Sequence, residues 1–403
     1  MAPDSPTPPP VSLAHGREVV AIPGPSIIPD RVLEAMQRPM VDIYAGAVVD
    51  AVHESWALLP PLAGTSGRVF VTISNGHGAW EMALGNTLSR GDHVLVLECG
   101  RFAAIWGEMA EFNGLHVEVI EAEPRQAIDP DVVEQRLRDD SAHEIKAILT
   151  VHTDTASSAR NDIAAIRRAI DEAGHPALLM VDCIASLSCE EYRMDDWGVD
   201  VTVAASQKGL MTPPGLGFVW AGPKALAANA TAGLRTRYFD WGYRAEDGPI
   251  YLRFCGTPPV SHVFALREAL AMIDEEGLDN RWRRHRVHAD AVRAAVDAWA
   301  APGGIELHVV DAASRSNAVS TIRTGTIDPL ELARRCLEGA GVTLGLGVGA
   351  FAGETFRIGH MGHLNPPTVL GVLGTVEAAL TSMRAPLGGS GVAAAAQVIA
   401  RAW

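Results

Sequence analysis

The sequence predicts an α/β chain: a large unit on a mainly parallel seven-stranded sheet, followed by a smaller C-terminal α/β unit. Three observations lead there. Seven short apolar runs between residues 69 and 222 alternate with amphipathic stretches, the pattern of strands buried on both faces and joined by helical crossovers. After Pro258 and Pro259 the alternation gives way to long helical stretches and two strand-like runs. The chain is 403 residues long and 48% apolar, enough for two cores at about 100 to 200 residues per domain.

Residues 1–17 are rich in Pro and Ser and read as an N-terminal arm. The large unit is expected over 18–270 and the small one over 271–403. In the first, VFVTIS (69–74), HVLVLE (93–98), HVEVIE (116–121), IKAILTVH (145–152), ALLMVD (177–182), DVTVAAS (200–206) and GFVWAG (217–222) read as strands. Helices are expected between them, as in NDIAAIRRAIDEAG, with Asn161 or Asp162 as cap and Gly174 as stop. In the second, SHVFALREALAMIDEEG and NRWRRHRVHADAVRAAVDAWA read as helices, and IELHVV and AVSTIRT as strands. The basic run RWRRHRVH (281–288) is expected to be a solvated helix face with Trp282 turned inward. Gly345 to Gly349 lacks the G-x-G-x-x-G spacing of a dinucleotide fingerprint and reads as a flexible loop near Arg357, placed to gate substrate.

A formal charge of −15 disfavours nucleic acid and anionic membrane surfaces as partners. The five cysteines are odd in number and scattered, as free thiols in a reducing compartment would be. No run reaches the roughly 18 apolar residues of a membrane span and the first residues do not resemble a secretion signal, so a cytoplasmic protein is expected. His360 and His363 stand three residues apart with only Glu354 nearby, too few ligands for a metal site.

One residue stands out by scarcity. The chain has 30 arginines and three lysines, Lys146, Lys208 and Lys224. Lys208 follows a strand that ends at Ser206 and precedes the turn Thr212-Pro213-Pro214-Gly215, which puts it at the carboxyl edge of the sheet, where α/β folds bind ligands. Arginine stays protonated, whereas a lysine of lowered pKa can attack a carbonyl and form a Schiff base. Asp182 ends the apolar strand 26 residues upstream and suits the anion that keeps a pyridine nitrogen protonated. The turn Ser74-Asn75-Gly76-His77, between a strand and a helix, offers backbone N–H groups to a phosphate.

Taken in order, Pro23-Gly24-Pro25, S-N-G-H-G-A-W-E, H-T-D-T, M-V-D, S-Q-K-G-x-x-x-P-P-G and F-R-I-G-H-M-G resemble the class V aminotransferases of the alanine–glyoxylate, serine–glyoxylate and aspartate–glyoxylate type, over about residues 20 to 390. The resemblance implies fold type I and the cofactor pyridoxal 5'-phosphate. It makes Lys208 the Schiff-base lysine and proton-moving base, and Asp182 the partner of the ring nitrogen. Gly76, His77 and Gln207 become phosphate contacts, and Thr257 a phosphate contact given to the neighbouring subunit of a homodimer with shared active sites. Phe102 falls where the family stacks an aromatic ring, Thr155 beside the ring hydroxyl, and Ile184 joins the cofactor contacts. Arg357 matches the clamp for the substrate α-carboxylate, with Gly24 as backbone partner and Tyr44 among the substrate contacts. The implied reaction moves an amino group from a small amino acid to glyoxylate or another small 2-oxo acid. The alternatives on the same fold are a lyase or desulfurase and a pyridoxamine–pyruvate-type enzyme. Desulfurases carry His before the lysine and a cysteine on a mobile loop, whereas here Gln207 precedes Lys208 and no cysteine lies near 345–349. The chain departs from the family at Asn75, at Ile43-Tyr44, at Asp154 and Ser158 where H-x-E-T/S-x-T-G is usual, and at Phe254, a common tyrosine position.

Overall fold

The computed structural model describes residues 12–244, 248–301 and 304–403, so most of the expected arm lies outside the described residues. Twelve strands occur among them: β1 (Val19–Ala21), β2 (Arg68–Ser74), β3 (His93–Glu98), β4 (His116–Glu121), β5 (Ile145–Val151), β6 (Leu178–Asp182), β7 (Val201–Ala205), β8 (Gly215–Ala221), β9 (Glu306–Leu307), β10 (Val319–Arg323), β11 (Val342–Leu346) and β12 (Thr355–Gly359). Strands β2 to β8 are the seven expected ones. They form one sheet in the order β2-β8-β7-β6-β5-β3-β4, parallel except for β8.

Period-two alternation explains why the central strands lie inside. In β3, Leu95 and Leu97 join the core on one face while Val94 and Val96 join the core on the other. In β6, Leu179 and Val181 alternate with Leu178 and Met180 in the same way. Each such side chain contributes roughly 1.5–3 kcal/mol when fully buried, so these strands are locked in register as well as in place. Only β4, at the sheet edge, is largely exposed. The crossover helix Ile163–Glu172 is capped by Asp162, whose carboxylate accepts from the Ala165 amide at 2.8 Å, and its exit is turned by Gly174 at φ 62°. Asn161 instead ties the loop to β5, donating to the Val151 carbonyl at 2.8 Å.

The second sheet has the order β1-β11-β12-β10-β9, so Val19–Ala21 joins it before the chain enters the first sheet. Three expectations change here. Gly345 and Leu346 belong to β11, paired with β12, and are not loop. The run IELHVV yields only the two-residue β9. The basic run of 281–288 is not a solvated face: Arg281, His285 and His288 are buried in the helix Leu278–Trp299, and Trp282 is only half-buried. Arg281 can lie inside because its guanidinium donates to the Gly209 carbonyl at 2.6 Å and the Ser188 hydroxyl at 3.2 Å and pairs with Glu276 at 3.0 Å. No described helix is long and apolar enough to cross a membrane.

The two sheets are laced together by the loop after β5. Thr321 on β10 donates its hydroxyl to the Ala156 carbonyl at 2.9 Å, and its amide to the Ser158 hydroxyl at 3.1 Å. Ser158 sits at φ 62°, a left-handed conformation that favours glycine. Its hydroxyl offsets part of that cost by meeting the amide of β10. Ser158→Ala and Ser158→Gly both lose that bond, about 1 kcal/mol, but only alanine keeps the backbone cost of roughly 1–2 kcal/mol. Ser158→Gly is therefore expected to unfold at higher denaturant than Ser158→Ala, by about 1 kcal/mol; equal midpoints would show that the backbone is not the constraint.

Candidate active site

Five strand ends deliver the site to the carboxyl edge of the parallel sheet. After β2, Asn75 caps the helix Gly76–Thr87, its Oδ1 accepting from the amides of His77 at 3.0 Å and Gly78 at 3.4 Å. After β3, Gly100 starts the helix Arg101–Phe112, which carries Phe102 in its first turn. The segment after β5 brings Thr153 and Thr155, the end of β6 brings Asp182 and Ile184, and the turn after β7 brings Gln207 and Lys208.

These residues line one cavity of about 240 Å³ together with Gly24, Pro25, Gly76, His77 and Trp80. Of the residues the sequence singled out, Gly24, Gly76, His77, Phe102, Thr155, Asp182, Ile184, Gln207 and Lys208 all face it. A Cβ at Gly76 would overlap the tip of Ile184, and one at Gly24, which also has φ +100°, would overlap the Lys208 side chain. The Gly24 amide, however, donates to the Ile22 carbonyl at 2.7 Å, so close approach to the lysine is the role this glycine plays here.

Lys208 is 9% exposed, and its ammonium donates to the Pro23 carbonyl. No carboxylate lies within 4 Å of it among the described residues. Burial and the charge of Arg357 lower its pKa to about 8, against the opposing field of Asp182. Asp182 is buried as well, and burial raises its pKa to about 7 although two donors oppose the shift. Its Oδ1 accepts from the Ile184 amide at 2.6 Å and its Oδ2 from the Trp80 indole at 3.1 Å. Burial lowers the pKa of His77, which favours a neutral imidazole, packed 4.6 Å from the Trp80 ring.

Arg357, on β12, stands just behind this wall and is 8% exposed. Its Nε donates to the Leu346 carbonyl at 2.9 Å and its Nη1 to the Thr155 carbonyl at 3.0 Å, which leaves Nη2 uncommitted among the described residues. Besides Arg357, two more of the expected residues do not line the cavity of their own chain. Tyr44 is 74% exposed and edge-on to Tyr251, its amide held by Asp42 at 2.8 Å. Thr257 is exposed on the surface. Phe254 is buried against Trp56 at 5.6 Å and has no hydroxyl to offer.

The residues present fit pyridoxal phosphate. Gln207 has a buried Oε1 with no partner, so its amide end is uncommitted, and the N-terminus of the helix Gly76–Thr87 opens on the same cavity. Lys208 is positioned to link to an aldehyde, and Asp182 to hold a proton on a ring nitrogen. His360, considered above as a metal ligand, is engaged by the Ser320 hydroxyl at 3.0 Å and the Asn317 carbonyl at 2.9 Å. Among the described residues, no three His, Cys, Asp or Glu side chains converge as a metal site would need.

Sequence reasoning missed the partner of Asp182 and the role of Asp154. Trp80 was legible only as a motif letter, because a tryptophan near the start of a helix gives no sign of where its N–H points. Asp154 is fully buried and accepts four backbone N–H bonds. Its only signal was an acidic residue inside an otherwise apolar and hydroxylic stretch.

Comparison with known proteins agrees with this geometry. Residues 64–356 match the family described as Aminotransferase class-V. The chain is 39% identical to the serine–glyoxylate aminotransferase of Methylorubrum extorquens, over 95% of this chain and 96% of that protein. It is 39% identical to the L-aspartate–glyoxylate aminotransferase of Paracoccus denitrificans, over 93% and 94% respectively. Among solved structures, the ureidoglycine–glyoxylate aminotransferase of Bacillus subtilis superposes with a TM-score of 0.87 at 27% identity, covering 96% of this chain and 99% of that one.

A lysine with a pKa of about 8 captures an aldehyde fastest once it has lost its proton. The rate at which cofactor-free protein binds pyridoxal phosphate, followed by absorbance, is expected to rise with pH and level off just above pH 8. A rate still climbing towards the ordinary lysine value near 10.5 would show that Lys208 is not perturbed.

Proposed function

The chain belongs to the class V aminotransferases, and we propose that it moves amino groups from a small neutral amino acid, serine foremost, to glyoxylate. The observation that carries this is the convergence of Lys208 and Asp182, both buried, on one cavity whose outer wall leads through Thr155 to Arg357. The relatives named for serine and aspartate as donors are equally similar to this chain, so similarity does not choose between them. The cations favour serine. A second carboxylate on the donor would need a second fixed positive charge, and the described residues lining the cavity offer only Lys208, which must lose its proton, and His77, held neutral.

Bound in this cavity, pyridoxal phosphate supplies an electron sink that stabilises negative charge at the substrate Cα. The protein does the rest. Arg357 presents Nη2 and the second N–H of Nη1 to the α-carboxylate, while its other donors stay on the backbone carbonyls of Leu346 and Thr155. That grip would fix the orientation of the substituents on Cα. Lys208, with its proton lost, would be the base that takes and gives back the proton at the substrate Cα. Asp182, oriented by the Ile184 amide and the Trp80 indole, would hold a proton on the ring nitrogen. Phe102 would cover the ring face, Thr155 and Ile184 would border it, and Gly76, His77 and Gln207 would hold the phosphate.

Tyr44 and Thr257 enter this reading through a second copy of the chain. Both are exposed, and we place them at the cavity of the partner in a homodimer with shared active sites. The free cysteines favour the cytoplasm.

Single-turnover mixing tests the donor. Serine is expected to shift the absorbance of the bound cofactor, and glyoxylate to restore it, with kcat/KM for serine above that for aspartate by about tenfold or more, the least that an unpaired buried carboxylate costs. A band that serine bleaches and no oxo acid restores would favour elimination instead, and faster turnover of aspartate would overturn the neutral-donor assignment.

A further inference from the structure

The helix Arg101–Phe112 has no cap of its own, because Gly100 stands at its N-cap position. The capping carboxylate comes from 52 residues downstream, on the loop after the neighbouring strand. Asp154 Oδ2 accepts from the amides of Phe102 at 2.8 Å and Ala103 at 3.2 Å. Its Oδ1 accepts from Ala156 at 2.8 Å and Ser157 at 3.3 Å, folding its own loop. Burial raises the pKa of Asp154 and the four N–H bonds oppose that shift by favouring the carboxylate, which accepts on both oxygens; an amide would turn a donor towards one pair. Gly100 supports the same point. Its backbone is extended, at φ 168° and ψ −176°, so any residue could adopt it, yet a Cβ there would overlap the Asp154 carboxyl group.

Both ends of this clip reach the site. Phe102 and Thr155 line the cavity, and the Thr155 carbonyl receives Nη1 of Arg357 at 3.0 Å. The position of the arginine is therefore tied, through one peptide group, to a carboxylate that does not itself line the cavity.

We infer that Asp154 is a positioning residue for amino transfer: by holding Phe102 and Thr155 in register, and Arg357 through Thr155, it sets the affinity for the substrate carboxylate and for the cofactor. The inference rests on Arg357 being the carboxylate clamp of the proposed reaction. Turnover by the unaltered enzyme tests that reading by itself, and cofactor binding tests the clip independently of turnover.

The experiment is Asp154→Asn, with Gly100→Ala as a second variant that presses on the carboxylate from the other side. Each is assayed for KM and kcat with serine, for the cofactor Kd by quenching of tryptophan fluorescence, and for folding by circular dichroism. In Asp154→Asn, KM and the cofactor Kd are expected to rise about tenfold or more, the scale of one lost hydrogen bond to a charged group, with a smaller change in kcat. Gly100→Ala is expected to do the same, and to add nothing further in an Asp154→Ala background, where the colliding group is gone. A purely structural Asp154 would lower the melting temperature and leave KM and Kd unmoved, which overturns the inference. If Asp154→Asn does not fold, Gly100→Ala carries the test alone, and an unchanged KM there overturns it.

Discussion

The site depends on keeping one ammonium out of water with no carboxylate in contact. Burying an unpaired charge costs several kcal/mol, and a side chain as long as lysine would ordinarily escape by turning its tip to solvent. The surrounding main chain prevents that. Ser26 donates its amide to the Gln207 carbonyl at 2.8 Å and its hydroxyl to the Lys208 carbonyl at 2.7 Å. Ser188 and Arg281 both donate to the Gly209 carbonyl, at 3.0 and 2.6 Å. The turn is thus braced by the N-terminal segment on one side and by the helix Leu278–Trp299 on the other, while the Pro23 carbonyl receives the ammonium. A lysine whose pKa is lowered to about 8 in the folded state binds fewer protons than the unfolded chain above that pH. Its burial therefore weighs against folding below pH 8, and the cost is relieved as the pH rises from about 8 towards 10.5.

Asp182 poses the opposite problem a short distance away. The simplest economy would be to let carboxylate and ammonium meet, and the fold does not allow it. Asp182 is held by the Ile184 amide and the Trp80 indole, and Lys208 by a carbonyl of the N-terminal segment. Each group keeps its charge state loosely, with pKa values of about 7 and 8, and the cavity lies between the elements that hold them. A molecule carrying an aldehyde at one end of a ring and a basic nitrogen in it satisfies both groups at once, so the cost of keeping them apart is recovered on binding.

How far the sequence disclosed this follows from which interactions are local. Strands β2 to β8 were legible because alternating apolar residues bounded by turns leave few other readings, and Asp162 and Gly174 were legible as helix punctuation. Lys208, Asp182 and the glycine turn were legible because strand ends in a parallel sheet converge on one edge. The misreading of 281–288 came from treating arginine as a solvent residue, when Arg281 reaches the buried Gly209 carbonyl, 72 residues earlier. The same blindness hid Trp80 and Asp154. Each acts on a residue from a different strand, and nothing in the chain near Asp154 announces that the helix starting at Arg101 lacks a cap. Tyr44 and Thr257 belong to a third kind, exposed residues that touch no part of their own chain's cavity.

The scarcity of lysine now has a physical division of labour behind it. Three buried arginines are bound to backbone carbonyls: Arg244 to those of Val71, Arg253 and Tyr238, Arg281 to Gly209, Arg357 to Leu346 and Thr155. A permanently charged, planar group with five donors can hold such carbonyls and stay ionised. Lys146 lies on the surface and donates to the His143 carbonyl, and Lys224 is part-exposed and pairs with Asp200 at 3.6 Å. Lys208 is the one buried ammonium among them, and it has a single carbonyl as its partner. A guanidinium in its place would keep its proton at any working pH and could not attack a carbonyl carbon. The fold therefore uses arginine at buried positions where charge is permanent and lysine at the one where the proposed reaction needs it to be lost.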